Sequence, residues 1–180
     1  GFVILQVNWV INTELLQSQR IRFRVDQAAR EVADSLHKYT SFNNNFIYQN
    51  QGFGNGNFGI TEPYIKISQV LSQNEIRRIV HRTLVQNGID DLKPAYAVTY
   101  MMTGNNGVVE SSSPDFMETA HRINIDSAYA INAYAGISPI NLLHNSDDGS
   151  ISIQETITVI VTDITARAWR SLIWVLAGSA

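Results

Sequence analysis

The stretch Ile151–Thr162, ISIQETITVIVT, alternates apolar and polar side chains with period two, the mark of a β-strand buried on one face. Ile151, Ile153, Ile157, Val159 and Val161 share one side; Ser152, Gln154, Thr156, Thr158 and Thr162 share the other, where Ile160 is the exception. Its Ile, Val and Thr residues are β-branched and suit a pleated surface. Just upstream, Asp147-Asp148-Gly149 is a hairpin turn signal, which predicts Ile140–His144 as the antiparallel neighbour. Downstream, Asp163 and Thr165 offer N-caps for a closing helix, so only a short junction separates strand from helix.

Outward from this strand, the pattern stays antiparallel. After Pro94, Ala95–Thr103 reads as a strand, Gly104-Asn105-Asn106-Gly107 as a turn and Val108–Ser112 as its partner. Short strands are expected over Thr119–Ile125 and Tyr129–Ala135, with a helical turn at Pro114–Met117. Before them, Ser72 and Glu75 form an S-x-x-E capping box, with Leu71 and Ile76 as its hydrophobic staple. Ile76, Ile79, Val80 and Leu84 then make a buried stripe that Gly88 ends. Ser41–Gly59, rich in Asn and Gly, reads as a loop.

The first forty residues contain no Pro, and no Gly after position 1, and read as one long helix. Ile11, Leu15, Val25, Ala29, Val32, Leu36 and Tyr39 follow a 4-3 spacing interrupted by Ser18 and Arg22, a heptad-like seam. Leu15, Val25, Ala29, Val32 and Leu36 are therefore expected to form a dimer seam. The element order predicts an α+β fold: a long N-terminal helix, an antiparallel sheet with flanking helices, and a C-terminal helix.

Both ends are apolar: Gly1–Ile11 and Ala168–Ala180. Each holds about a dozen residues, about 18 Å of helix against a hydrocarbon core of about 30 Å, so neither spans a bilayer alone. Their shared character fits a domain carried between two transmembrane helices: residues 1–12 as the end of the first, 13–165 as the domain and 166–180 as the start of the second. Trp9 lies where an interfacial aromatic would sit. A soluble domain whose apolar terminal helices pack on each other is the alternative.

Over the 180 residues, 44% are hydrophobic and 16% charged, which fits one ordered domain with its own core. A net charge of −3 gives no electrostatic footprint for nucleic acid, and Arg20, Arg22 and Arg24 read as a solvated helix face beside Asp26 and Glu31. The absence of Cys excludes disulfides, thiolate nucleophiles and Cys-type zinc sites. No basic n-region or small-residue cleavage site marks a signal peptide.

Chemical motifs are sparse. Gly54-x-Gly56-x-x-Gly59 spells the dinucleotide fingerprint, but no strand leads in and Ile60-Thr61-Glu62-Pro63 follows in place of a helix. His37, His81, His121 and His144 show no metal-ligand spacing. Setting Gly149 at position six of a calcium loop places Asp148 at five and Glu155 at twelve, yet His144 and Ser146 stand where leading carboxylates belong. No G-x-S-x-G elbow is present, and Glu110, Asp115 and Glu118 are close in sequence without a sign that they converge. No cofactor or metal is expected. Tyr96, Tyr100, Met101 and Met102 suit the lining of an apolar pocket or plain core packing. His121-Arg122 suits an anion or carboxylate, or a solvated strand face. Tyr96, Tyr100, His121 and Arg122 are the candidate ligand site.

The opening LQVNWVINTELLQSQRIRFRVDQAAREVADSLHK, with its L-Q-V-x-W helix end and R-V-x-x-A-x-x-x-V-A stretch, resembles the first transmembrane exit and juxtamembrane helix of sensor histidine kinases from Bacteroidetes-type bacteria. The passage from the middle helix through Gly88-Ile89 to the strand after Pro94 is similar to the same family, as is TVIVTDITARAWRSLIWVLAGSA running into a second membrane helix. Where that family usually carries a Phe-Pro pair, this chain has Val161-Thr162. The resemblance implies a PAS-like sensor domain facing the periplasm from the inner membrane, a homodimer formed through the first helix, an unknown small-molecule or protein signal, and a cytoplasmic kinase outside these residues. A different class, a pilin-like or envelope subunit with an apolar N-terminal helix, is suggested by the GFVIL start, although the Glu of type IV pilins at the fifth mature position is missing.

Overall fold

The computed structural model describes the backbone of residues 2–50, 66–102, 107–143 and 153–170, with side chains over 8–39, 66–101, 107–140 and 154–170. Helix α1 (Phe2–Asn50) is followed by α2 (Ile67–Val70), α3 (Gln73–Gln86) and a 3-10 turn at Asp90–Leu92. Strands β1 (Ala95–Met102) and β2 (Val108–Ser112), helices α4 (Phe116–Ile125) and α5 (Ser127–Ile131), and strands β3 (Tyr134–Leu143) and β4 (Ile153–Val161) complete the order. Residues 164–170 are helical again. The sheet runs β2-β1-β4-β3 with every neighbour antiparallel, so the expected α+β architecture is present.

β4 lies in the middle of the sheet, which explains its composition. Ile157, Val159 and Val161 are fully buried on one face, in the main core. Ile160, the exception in the alternation, is buried on the opposite face against Ala95, Ala97 and Phe116, because α4 covers the sheet there. The predicted hairpin partner is real but longer, since β3 pairs from Tyr134↔Val161 to Leu143↔Ile153. The turn residues 104–106 and 147–149 lie outside the described residues, as do Ile151 and Ser152.

Helix α1 crosses the main-core face of the sheet. Val25, Ala28, Ala29, Val32, Ala33 and Leu36 are all buried there. The crossing is close because β3 offers no side chain at Gly136, where a Cβ would stand 3.0 Å from the Val25 carbonyl oxygen and 3.1 Å from Val25 Cγ1. Polar anchors flank the contact. The Tyr134 hydroxyl donates to Asp26 Oδ2 at 2.9 Å, which raises the phenol pKa, and Arg22 lies 5.3 Å over the same ring. On the α3 side, Asn87 Nδ2 and Gln27 Nε2 donate to the Glu31 carboxylate and hold its pKa below the ordinary value.

The proposed dimer seam therefore divides. Val25, Ala29, Val32 and Leu36 form the stripe by which α1 packs on its own sheet, whereas Leu15 is 56% exposed. A 4-3 spacing specifies an apolar helix face without saying what covers it. The apolar residues α1 leaves outside include Trp9, Leu16 and Phe23, spaced seven apart and each more than half exposed.

Helix α3 matches its sequence signals. Ser72 Oγ accepts from Glu75 N, the Glu75 carboxylate accepts from Ser72 N at 2.9 Å, and Gly88 past the helix end has φ +61°. Three segments differ from expectation. Thr119–Ile125 belongs to helix α4, because Phe116, Ala120 and Ile123 recur at helical spacing and pack on the sheet. Tyr129–Ala135 divides between α5, whose Asp126 cap accepts from Ala128 N and Tyr129 N, and the start of β3. Residues 41–50 of the expected loop continue α1, and 51–59, with the glycine fingerprint, lie outside the described residues.

Candidate functional site

The sheet separates the four sequence-nominated residues. Tyr96 and Tyr100 lie on the β1 face that carries Val98, toward α1 and α3. Tyr96 is 8% exposed within the core, and burial pushes its phenol pKa up. Tyr100 is half-buried beneath Lys66, whose Nζ stands 3.8 Å from the ring centroid. His121 and Arg122 sit on α4, which packs on the opposite face through Phe116; both are exposed, and Arg122 stacks 4.3 Å over Tyr129. A helix in place of the expected strand accounts for the separation, since α4 follows its own periodicity and covers Ala95 and Ala97. Met101 is exposed, and the Met102 side chain lies outside those described. Among the described residues no group of three or more His, Cys, Asp or Glu side chains is placed to hold a metal ion. Nor is any described helix long and apolar enough to cross a membrane.

The inner face instead gathers a polar cluster around the start of α2. Glu155, fully buried, accepts a hydrogen bond from Ile67 N at 2.9 Å through Oε1. It stands directly opposite Tyr100 in the β1–β4 register. Glu110 joins it from β2. The register shifts there, with Val98 opposite Ser111 and Thr99 opposite Val109, so Glu110 is the extra residue of a bulge. Such a bulge re-aims a side chain that regular alternation would send elsewhere. Glu110 Oε1 accepts from Ser68 Oγ at 3.2 Å and lies 3.9 Å from Lys66 Nζ. Glu110 Oε2 and Ser111 Oγ are buried with no hydrogen-bond partner among the described residues.

This arrangement places carboxylate on the first backbone N–H of α2, where the orphan donors of a helix start need acceptors. Glu155 has a sequence signal, because it occupies an odd position on the otherwise apolar side of the β4 alternation. A charged residue there needs a tertiary partner. Replacing Glu155 with Ala is expected to destabilise the fold by about 1–3 kcal/mol, because Ile67 N–H is left buried without its acceptor. Glu155→Gln, which keeps an oxygen at that place, should cost clearly less. Urea denaturation of both variants checks this, and equal losses would show that the Ile67 bond is not what Glu155 contributes.

A second polar feature sits where β4 passes into the closing helix. Asp163 adopts φ +56°, Ile164 N donates to Asn132 O at 3.0 Å, and Ile164 and Ala168 are buried. Arg167 donates from Nε to Thr162 O at 3.3 Å, from Nη1 to Asp91 O at 3.2 Å and from Nη2 to Leu92 O at 3.0 Å. The closing helix is thereby fastened to the 3-10 turn ahead of β1. Beside it a cavity of about 280 Å³ opens between α1 and this helix, lined by Gln17, Ile21, Arg24, Asp91, Leu92, Arg167 and Arg170. A wider groove between α1 and α3 is lined by Ser35, Lys38, Tyr39, Ile79, Arg82, Thr83 and Gln86.

Comparison of the chain with protein-family models, with curated proteins and with solved structures finds no match.

Proposed function

We propose that this chain is the extracytoplasmic, ligand-sensing domain of a membrane-bound sensor histidine kinase, facing the periplasm and relaying a signal to a cytoplasmic kinase outside these residues. The observation that carries the reading is the junction at Thr162–Asp163. A central strand passes through it into a helix that Arg167 ties to the domain and that lines one cavity with α1. Gln17, Ile21 and Arg24 of α1 and Arg167 and Arg170 of the closing helix thus meet around one cavity, which supports a domain carried between two membrane helices. In this reading residues 1–12 end the first membrane helix, and the second follows the stretch 164–170, which is fastened to the domain through Ile164, Arg167 and Ala168.

The work is binding without chemistry. A small-molecule or protein signal that prefers one conformation of the sheet shifts the closing helix relative to α1, and only its differential affinity drives that shift. The coding sequence beyond Ala180 tests the proposal: a phospho-accepting His and an ATP-binding region are expected downstream, and a stop codon soon after Ala180 would overturn it.

Homodimerisation belongs to the same proposal, through the outward stripe of α1. Trp9, Leu16 and Phe23 repeat at seven-residue spacing, the interval of a helix–helix seam. Cysteines at Leu16 or Phe23 are expected to crosslink two copies in membranes, whereas cysteines at Val25 or Ala29 should not, because those positions face the sheet. Efficient crosslinks at Val25 with none at Leu16 would reject the outward seam.

A further inference from the structure

We propose that the cavity between α1 and the closing helix is a binding site for a phosphate-class oxyanion. Arg24 enters it from α1, and Arg167 and Arg170 enter it from the closing helix. The single lining carboxylate is Asp91. Arg24 and Arg167 are half-buried, so their charge is less screened than that of a surface residue. Among the described residues the carboxylate contacts of basic side chains are Lys66–Glu110 and His81–Asp90, and none of the three guanidiniums has a carboxylate partner.

The donor geometry is partly built in advance. Arg167 is held in place by the carbonyl oxygens of Thr162, Asp91 and Leu92, and Arg24 Nη2 by Asn87 O at 3.3 Å. These neutral carbonyls orient the guanidiniums without cancelling their charge. A guanidinium carries five N–H donors in a planar fork that suits phosphate, so both side chains keep donors to offer. The Arg170 side chain, exposed and part of the lining, makes no hydrogen bond or ion pair among the described residues and supplies a further fork. The volume, about 280 Å³, admits a phosphate group with water.

A ligand here touches both terminal helices at once. It draws arginines of α1 and the closing helix together and stabilises one arrangement of the pair. Binding itself does not depend on the sensor reading; only the consequence for signalling rests on it.

The test uses the 180-residue chain and inorganic phosphate, titrated calorimetrically at constant ionic strength with chloride as the control anion. Saturable binding is expected, weakened about tenfold or more by Arg24→Gln and by Arg170→Gln, each of which removes a charge-assisted fork. Circular dichroism confirms that the variants fold. A parallel arm measures co-sedimentation with phosphatidylcholine vesicles, with and without phosphatidylglycerol. Arginine-dependent binding to phosphate alone identifies a free anion as the source, and arginine-dependent binding to the anionic vesicles alone identifies a lipid headgroup. Binding to neither, or binding that folded Arg24→Gln and Arg170→Gln proteins retain in full, overturns the site. A positive result beside a coding sequence that stops after Ala180 would keep the site and remove the sensor reading.

Discussion

Replacing Leu36 with Ala is expected to lower the free energy of unfolding by about 2–5 kcal/mol, and by the same amount at every protein concentration. Leu36 has no exposed surface and sits in the main core with Val25, Val32, Ile157 and Val159. The substitution removes buried methyl groups and leaves a cavity between a helix and a sheet that neighbouring parts of the fold hold apart. A residue of a dimer seam would behave differently, because its loss would appear as weaker association and as a midpoint that moves with concentration. Denaturation of the variant over a wide concentration range separates the two roles. Leu16→Ala is the control: Leu16 is 64% exposed, and its loss should change monomer stability by less than about 0.5 kcal/mol. A concentration-dependent loss at Leu36 would return it to the interface between copies.

The second large effect concerns output. Under the sensor proposal, two glycines inserted after Thr162 combined with Arg167→Ala should abolish stimulus-dependent autophosphorylation of the full-length receptor. The insertion breaks the covalent register between β4 and the closing helix, and the substitution removes the bonds to Asp91 O and Leu92 O that could otherwise hold the helix in place. The insertion alone should be milder, because Ile164 is 2% exposed and remains anchored through its N–H to Asn132 O while the added residues loop out. Arg167→Lys is not an adequate rescue, since an ammonium cannot reproduce a planar fork spanning several carbonyl oxygens. Thermal melting of the domain, measured beside output, should show a cooperative transition in every variant. Normal stimulus-dependent output from the doubly altered receptor would show that the signal does not travel through this junction.

The candidate sites were legible only in parts. Tyr96 and Tyr100 do share a face, because strand alternation is local, but His121 and Arg122 lie across the sheet from them on a helix. Glu155 left a mark in the sequence as a carboxylate on an apolar face. Its partner, the Ile67 amide, is 88 residues away and leaves none. Glu110 depends on a bulge in β2, and a one-residue slip in pairing has no sequence signature in a run as short as Val108–Ser112. The arginine cavity joins residues near positions 24, 91 and 167, of which Arg24 reads in the sequence as part of a solvated helix face and the other two carry no local signal.

By itself, the sequence determined what depends on neighbours in the chain. The period-two pattern of β4, the Ser72–Glu75 capping box, the stop at Gly88, the β1–β2 hairpin and the continuous helix at the start all rest on dihedral preferences and side-chain spacing within a few residues. Only the tertiary structure decided which surface covers each apolar stripe. The residues Val25, Ala29, Val32 and Leu36 have the spacing of a seam in either setting, and it is the bare backbone of Gly136 on β3 that lets α1 approach the sheet and bury them. Thr119–Ile125 became a helix for the same kind of reason, because Ala95, Ala97 and Ile160 presented an apolar face that Phe116, Ala120 and Ile123 could cover at helical spacing. Burial against a distant partner contributes more free energy than local propensity does, so the choice of partner is made in three dimensions.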